Sequence, residues 1–228
     1  MIGIFDSGIG GLTILEEIKK IIVHNNIIYY ADSKNNPYGT KTDDELKKIT
    51  SDIVDYLINQ NCKIIVIACN TATTRCISYL RSKYPNIIFI GTEPAIKIAC
   101  DNNYLNTLVL GTTATVNSKS VQKLIEKNKK PHQKIYLKAC EGLANAIETN
   151  NNIKIDELLK EYLSPYHDID SIILGCTHYP YVKDKIQKYF PKAAIYDSSE
   201  GVAKHLKKVL ISNNLLTRKG KQTIKIIK

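Results

Sequence analysis

Short apolar runs rich in β-branched residues alternate along the chain with segments whose hydrophobic positions recur every three or four residues. The runs are Ile2 to Phe5, Ile27 to Ala31, Ile64 to Ala68 and Ile87 to Ile90 in the first half; in the second they are Leu108 to Gly111, Lys134 to Leu137, Ser171 to Gly175 and Ala194 to Tyr196. Amphipathic segments lie between them at Leu12 to Val23, Asp44 to Asn59, Ala72 to Lys83, Ser118 to Asn128, Asp156 to Leu163 and Val182 to Tyr189. A β-α rhythm of this kind predicts an α/β fold with mainly parallel sheets covered by helices on both faces, a three-layer arrangement.

The two halves share more than a rhythm. Ile28 and Ile135, Cys69 and Cys176, and Phe89 and Tyr196 are each 107 residues apart, in or just after corresponding strands. One offset across three strands predicts two pseudo-symmetric α/β halves related by duplication. Only Asn-rich turns, at Asn102-Asn103 and Asn150 to Asn152, stand out between elements. Open parallel sheets bind ligands outside the carboxyl ends of their strands, so the site is expected in a cleft between the halves.

Composition narrows the class. The chain has 228 residues, 43% of them hydrophobic and 24% charged, which excludes disordered and collagen-like architectures. No apolar stretch approaches the roughly 18 residues of a membrane span, and Met1-Ile-Gly-Ile-Phe-Asp6 carries neither a basic region nor a long apolar core of a secretion signal. A cytoplasmic protein with no membrane partner is therefore expected. The net charge of +10 raises nucleic acid as a partner, yet of the 32 basic residues only Arg75, Arg81 and Arg218 are arginines, leaving 29 lysines. Arginine is the better reader of bases and phosphates. The charge reads as solvated helix surface with a leaning toward anionic substrates, and no nucleic-acid partner is expected.

Six cysteines, Cys62, Cys69, Cys76, Cys100, Cys140 and Cys176, without a secretion signal read as free thiols. Cys62, Cys76 and Cys100 fit inert buried positions. Cys69-Asn70-Thr71 and Cys176-Thr177-His178 each follow an apolar strand and precede a predicted helix, whose N-terminus favours thiolate over a thiol of pKa about 8.5. Cys-x-His has no second pair nearby, and neither CxxC nor HExxH occurs, so metal is the minor alternative and none is expected. Two thiols facing each other across a cleft suit removal of a proton from one face of a carbon and delivery to the other, that is, racemisation or epimerisation. Asp6, Glu148 and His178 are the polar side chains available to assist; taken singly they read as a turn cap, a solvated helix acid and a structural histidine. Asp6-Ser7-Gly8-Ile9-Gly10-Gly11 serves either as a backbone anion site or as a tight strand-to-helix turn.

Several motifs together carry a resemblance: Ile2-Gly-Ile-Phe-Asp-Ser-Gly-Ile-Gly-Gly-Leu-Thr13, Pro37-Tyr38-Gly39-Thr40, Ala68-Cys69-Asn70-Thr71-Ala72, Gly91-Thr-Glu-Pro-Ala95 and Leu174-Gly-Cys-Thr-His-Tyr-Pro180. In order and spacing, from residue 2 to about residue 200, the chain resembles the bacterial glutamate racemases of the aspartate/glutamate racemase superfamily. The resemblance implies a cofactor-independent, homodimeric enzyme that interconverts L- and D-glutamate and supplies D-glutamate for peptidoglycan. It implies that Cys69 takes the α-proton from D-glutamate and Cys176 from L-glutamate, with Asp6 assisting the first and His178 the second. Ser7, Tyr38, Gly39, Asn70, Thr71, Thr115 and Thr177 would hold the substrate, and Glu148, eight residues after Cys140, would orient the ammonium or assist a thiol. By the same analogy the first domain comprises residues 1 to 92 plus 200 to 228, and the second 93 to 199.

The chain departs from the family at Glu141-Gly-Leu-Ala-Asn145, where proline and a bulky apolar run are usual. This keeps an aspartate or broad acidic amino acid racemase as the alternative, with a catalytically silent binding protein as the rival from another class. The start almost at the first strand leaves no extension for activation by a cell-wall precursor, so that regulation is not expected.

Overall fold

The computed structural model describes residues 1 to 228. In chain order the elements are β1 (Ile2–Asp6), α1 (Leu12–Ile21), β2 (Ile27–Ala31), α2 (Asp43–Asn59), β3 (Ile64–Ile67), α3 (Asn70–Lys83), β4 (Ile88–Gly91), α4 (Ile96–Asp101), β5 (Asn106–Gly111), α5 (Thr113–Val116), α6 (Lys119–Asn128), β6 (Lys134–Ala139), α7 (Leu143–Glu148), α8 (Asn152–Leu163), β7 (Ser171–Gly175), α9 (Lys183–Tyr189), β8 (Ala194–Tyr196), α10 (Ser199–Ser212) and β9 (Ile224–Ile227). They form two compact units, Met1–Thr92 with Ser199–Lys228, and Glu93–Ser198.

The first unit is built on a parallel sheet of order β4-β3-β1-β2-β9. Its central strands β1 and β3 are buried throughout, and period-two alternation sorts their side chains. Ile2, Ile4, Ile64, Val66 and Ala68 pack on one side with Ile14, Leu15 and Ile18 of α1 and Val202, Leu206 and Leu210 of α10. Phe5, Ile65, Ile67 and Cys69 pack on the other with Leu46, Val54 and Leu57 of α2 and Cys76 and Leu80 of α3. Helix α2 begins at a capping box in which the Thr42 hydroxyl accepts the Glu45 N–H and the Glu45 carboxylate accepts the Thr42 N–H.

The second unit has a parallel sheet of order β6-β5-β7-β8. Leu108, Leu110, Ile172 and Leu174 face α7, α8 and α9, while Val109 and Ile173 face α4 and α6. Matching β1 to β5, β2 to β6, β3 to β7 and β4 to β8 turns one strand order into the other, with β9 as an additional edge in the first unit. The parity matches as well: Cys69 and Cys176 lie on the same side of equivalent strands, each beyond a pair of buried aliphatic residues of that side.

The carboxyl-terminal segment is bound into the first unit by more than its helix. β9 pairs with β2, Asn25 Nδ2 donates to the Leu215 carbonyl at 2.9 Å, and Gln222 Nε2 donates to the carbonyls of Ile22 and Asn25 at 2.7 and 2.9 Å. The segments given by the apolar pattern include neither β9 and the fourteen-residue α10 nor the short α4, α5 and α7. β9 leaves Ile224 and Ile226 exposed on a sheet edge, so its sequence lacks the continuous burial that marks the other strands.

The lysines lie where a solvated face puts them. Lys19–Glu16, Lys48–Asp52, Lys97–Asp101 and Lys204–Glu200 are exposed ion pairs three or four residues apart on helices, each contributing little to stability. No helix is long and apolar enough to cross a membrane.

Because Leu206 is completely buried between α10 and the sheet, Leu206→Ala is expected to lower the unfolding free energy by about 3 kcal/mol. Ile211→Ala, on the exposed side of the same helix, should change it by less than about 0.5 kcal/mol. Urea unfolding of the two variants measures the contrast; equal effects would mean that α10 is not part of the core.

Candidate active site

In the first unit the carboxyl ends of β1, β2 and β3 carry the polar groups. β1 ends in Asp6, whose side chain is fully buried and whose Oδ2 accepts the Gly11 N–H at 2.9 Å. That bond holds the turn between β1 and α1, so the carboxylate caps the turn and sits at the positive end of α1. A Cβ on Gly11 would lie 2.8 to 2.9 Å from Ala68 Cβ, Asp6 Cβ and Tyr29 Oη, which explains the glycine by close approach. Tyr29 Oη donates to the Gly8 carbonyl at 2.9 Å and fixes the middle of the turn.

Cys69 follows β3 and is the N-cap of α3, with extended backbone dihedrals of −124° and 120°. Its Sγ accepts the Ala72 N–H at 3.5 Å and donates to Ser7 Oγ at 3.8 Å. The N–H groups and dipole at the start of a helix of fourteen residues favour negative charge at this position. Asn70 and Thr71, the first two residues of α3, are buried beside it. Asn70 Nδ2 donates to the Thr92 carbonyl at 3.2 Å, and Thr92 in turn bonds to Thr73 and to the Ile67 carbonyl, so the start of α3 is locked to the ends of β3 and β4.

Tyr38 and Gly39 form a single turn of 3-10 helix, Tyr38–Thr40. The Tyr38 phenol is buried and donates to Asp32 Oδ2 at 2.7 Å; Asn35 Nδ2 donates to both Asp32 oxygens at 2.9 and 3.0 Å. Burial first, then the charge and hydrogen bond of Asp32, with smaller contributions from Cys69 and Asp6, push the phenol well above its usual range, so it remains a donor. The Tyr38 side chain anchors the segment through Asp32, and Gly39 beside it is exposed. A Cβ on Gly39 would meet nothing within 4 Å, so nothing in the protein itself requires glycine there.

In the second unit Cys176 follows β7. Gly175 admits no side chain, because a Cβ would lie 2.8 Å from the Leu110 carbonyl oxygen. The helix expected directly after Cys176 is instead one turn of 3-10 helix, Tyr179–Val182, containing Pro180, and α9 starts only at Lys183. Cys176 thus lacks the helix N-terminus that Cys69 has. It has a histidine instead: Cys176 Sγ lies 3.9 Å from His178 Nδ1, and His178 Nε2 lies 2.7 Å from Glu148 Oε2. His178 is 2% and Glu148 12% exposed at the side chain, so Glu148 is a largely covered partner of a buried histidine rather than a solvated helix acid. Glu148 ends α7, which starts from Gly142 in the left-handed conformation, φ 75°. Tyr179 Oη and Tyr162 Oη donate to the carbonyls of Cys140 and Glu141 at 3.2 and 2.8 Å and hold that turn.

Thr177 is buried next to Cys176. Thr115 is completely buried in α5, with its hydroxyl 2.9 Å from that of Thr112, the N-cap whose side chain also accepts the Thr115 N–H. The structure therefore gathers Asp6, Ser7, Tyr38, Cys69, Asn70 and Thr71 in the first unit, with Gly39 exposed at the edge, and links Cys176, His178 and Glu148 in the second. Sequence reasoning overlooked Asp32. It follows the end of β2 as Asp6 ends β1, a recurrence visible once the strands are placed.

The other thiols sit in the core. Burial pushes Cys62 up to about 11 and Cys140 up to about 12, and raises Cys76 and Cys100. No group of three or more His, Cys, Asp or Glu side chains is arranged to hold a metal ion.

Comparison with known proteins agrees with this architecture. The family described as Asp/Glu/Hydantoin racemase matches residues 12–206. A glutamate racemase of Clostridium novyi is 41% identical over 234 residues, covering 99% of this chain and 89% of the relative. Among solved structures, a glutamate racemase isoform from Bacillus anthracis superposes with a TM-score of 0.85 at 29% identity, over 99% of this chain and 87% of its own. The glutamate racemase of Francisella tularensis, solved in complex with D-glutamate, gives 0.83 at 33% identity, over 99% and 86%.

The Cys140 thiol yields a stability test. Its folded pKa of about 12 lies above the unfolded value of about 8.5, so it supports folding fully below pH 8.5. As pH rises from there toward 12, the unfolded chain loses a proton that the folded chain keeps, and stability falls by up to about 1.4 kcal/mol per pH unit from this group. Urea unfolding of the reduced protein between pH 8.5 and 9.5 should show a shallower decline in Cys140→Ser than in the unaltered chain; equal slopes would place the ionisation elsewhere.

Proposed function

The chain belongs to the Asp/Glu/Hydantoin racemase family and is an amino acid racemase; we propose that it interconverts L- and D-glutamate by a two-thiol proton transfer that needs no cofactor. The observation that carries this reading is the pair Cys69 and Cys176, on the same side of equivalent strands β3 and β7, each with its own polar support. The relatives' substrate supports glutamate.

In the direction from D-glutamate, the Cys69 thiolate takes the α-proton, so that the Cα–H bond breaks and an S–H bond forms. The electron pair is held by the substrate carboxylate as an enediolate-like anion. The Cys176 S–H then delivers its proton to the opposite face, re-forming Cα–H and leaving a thiolate. From L-glutamate the roles reverse. No electrons are gained or lost overall. The reaction asks that both thiols reach one α-carbon from opposite faces.

Asp6 assists Cys69. His178, held by Glu148, hands a proton to or takes one from the Cys176 sulfur. Ser7, the Tyr38–Gly39 backbone, Asn70, Thr71, Thr115 and Thr177 supply neutral donors to a small zwitterion and stabilise charge as it develops on the carboxylate. Gly39 would let the substrate approach the backbone where a side chain would intrude. D-Glutamate made in this way would serve peptidoglycan synthesis.

The test is incubation of the reduced protein with L- or D-glutamate in D₂O, following optical activity and α-deuterium. Loss of optical activity from both enantiomers, with deuterium in the inverted product, is expected, and a faster reaction on aspartate would reassign the substrate. Cys69→Ser and Cys176→Ser should each abolish racemisation without unfolding the protein, because a hydroxyl is a far weaker base at neutral pH. Near-normal turnover by either would overturn the two-thiol scheme. Gly39→Ala should unfold at the same urea concentration as the unaltered chain while raising KM for both enantiomers; an unchanged KM would remove Gly39 from the substrate's path.

A further inference from the structure

Arg75 is one of three arginines in a chain with 29 lysines, and it occupies a place that a lysine fits poorly. It lies on α3, six residues after Cys69, with only 17% of its side chain exposed. Its Nε and Nη2 lie 2.7 and 2.6 Å from Asp43 Oδ1, and its Nη1 donates to the Tyr38 carbonyl at 3.4 Å. Asp43 is the first residue of α2, where the helix dipole favours a carboxylate. The same Tyr38 carbonyl accepts the Lys41 N–H at 3.3 Å. A planar guanidinium can serve a carboxylate and a carbonyl at once from fixed directions, which a single ammonium cannot reproduce.

We propose that Arg75 is a positioning residue for the reaction: it ties the Tyr38–Gly39 segment to α3, the helix whose first turn carries Cys69, and so fixes the spacing between the substrate-holding backbone and the thiol. The inference rests on the reading of Tyr38–Gly39 as a substrate contact. The segment is gripped from two sides. Asp32, after β2, holds the Tyr38 phenol, and Arg75, on α3, holds the Tyr38 carbonyl. The phenol contact fixes the side chain; the arginine contact fixes the peptide that leads into Gly39. Asp43 orients the guanidinium and closes the link among α2, α3 and the turn. Arg75 itself touches no reacting atom, so removing it should alter binding more than proton transfer.

Arg75→Met and Arg75→Lys test this, with Asp43→Asn as a variant of an exposed side chain that does not threaten the core. Hydrogen exchange at the amides of Gly39, Thr40 and Lys41, and KM and kcat in both directions, are measured together. In Arg75→Met, KM for both enantiomers is expected to rise about tenfold, the scale of one lost hydrogen bond to a charged group, with kcat little changed and exchange faster in that segment alone. Arg75→Lys should fall between it and the unaltered chain, and Asp43→Asn should shift KM in the same direction. A merely structural role would instead lower the melting temperature and the active fraction and leave KM alone. Unchanged KM and exchange in Arg75→Met or, if that variant does not fold, in Asp43→Asn, in a protein that racemises glutamate, would overturn the role of Arg75. Failure of the unaltered chain to racemise glutamate would overturn the reading of the substrate segment, while the exchange measurement, made without substrate, would still decide whether Arg75 holds the turn.

Discussion

A strand covered on both faces has no place for a charged or nucleophilic side chain except at its end. All five residues of β1, all four of β3 and all five of β7 are buried, and the chemistry-bearing groups come at or just past their last residues: Asp6, Cys69 and Cys176. For Asp6 and Cys69 the carboxyl end is the favourable one, because the following helix begins there and presents its N–H groups, whereas helix carboxyl ends, with unpaired carbonyls, cluster at the opposite edge. One constraint, burial of a parallel sheet, therefore decides that polar groups collect on one edge, and where a helix starts there it also decides which sign of charge is welcome.

This constraint also explains what the sequence made legible. β1, β3 and β7 stand out because an apolar run bounded by turns is what two-sided burial demands; the other five of the eight legible strands carry the same β-branched, turn-bounded runs with less burial, and the parallel α/β architecture follows from their alternation with helices. The two thiols stand out for the same reason, each a polar interruption directly after such a run. The elements that escape notice obey other rules. β9 is an edge strand with lysine at its second position and isoleucines left in solvent, and its partner β2 lies almost two hundred residues away. α7 has six residues and begins at a left-handed glycine, too short for a helical period to register. The Asp32–Tyr38 and Arg75–Asp43 contacts join residues on different elements, so no spacing along the chain announces them.

Equivalent backbone positions have not produced equivalent chemistry. Cys69 caps a long helix and leans on Ser7, while Cys176 is followed by a proline-containing turn and takes its support from His178 and Glu148. Repetition of a fold fixes where a side chain emerges from a sheet edge; the loop that follows fixes what surrounds it. In the first unit a helix dipole and a hydroxyl do that work, and in the second a part-buried histidine–carboxylate pair does.

For a racemisation such inequality has a bounded consequence. Free L- and D-glutamate are mirror images with equal free energy in water, so kcat/KM must be the same in both directions whatever environments the two thiols have. Under the proposed two-thiol mechanism, a sulfur stabilised as thiolate at one position favours the enzyme form waiting for one enantiomer, and that preference appears as different kcat and KM values whose ratios agree. On that mechanism the unlike surroundings of Cys69 and Cys176 divide binding from turnover differently for each enantiomer, but cannot bias the final mixture. Under the proposed mechanism, selection on the two sites acts through which resting protonation state is populated, and the Asp6 side and the His178–Glu148 side are free to meet that demand with different groups.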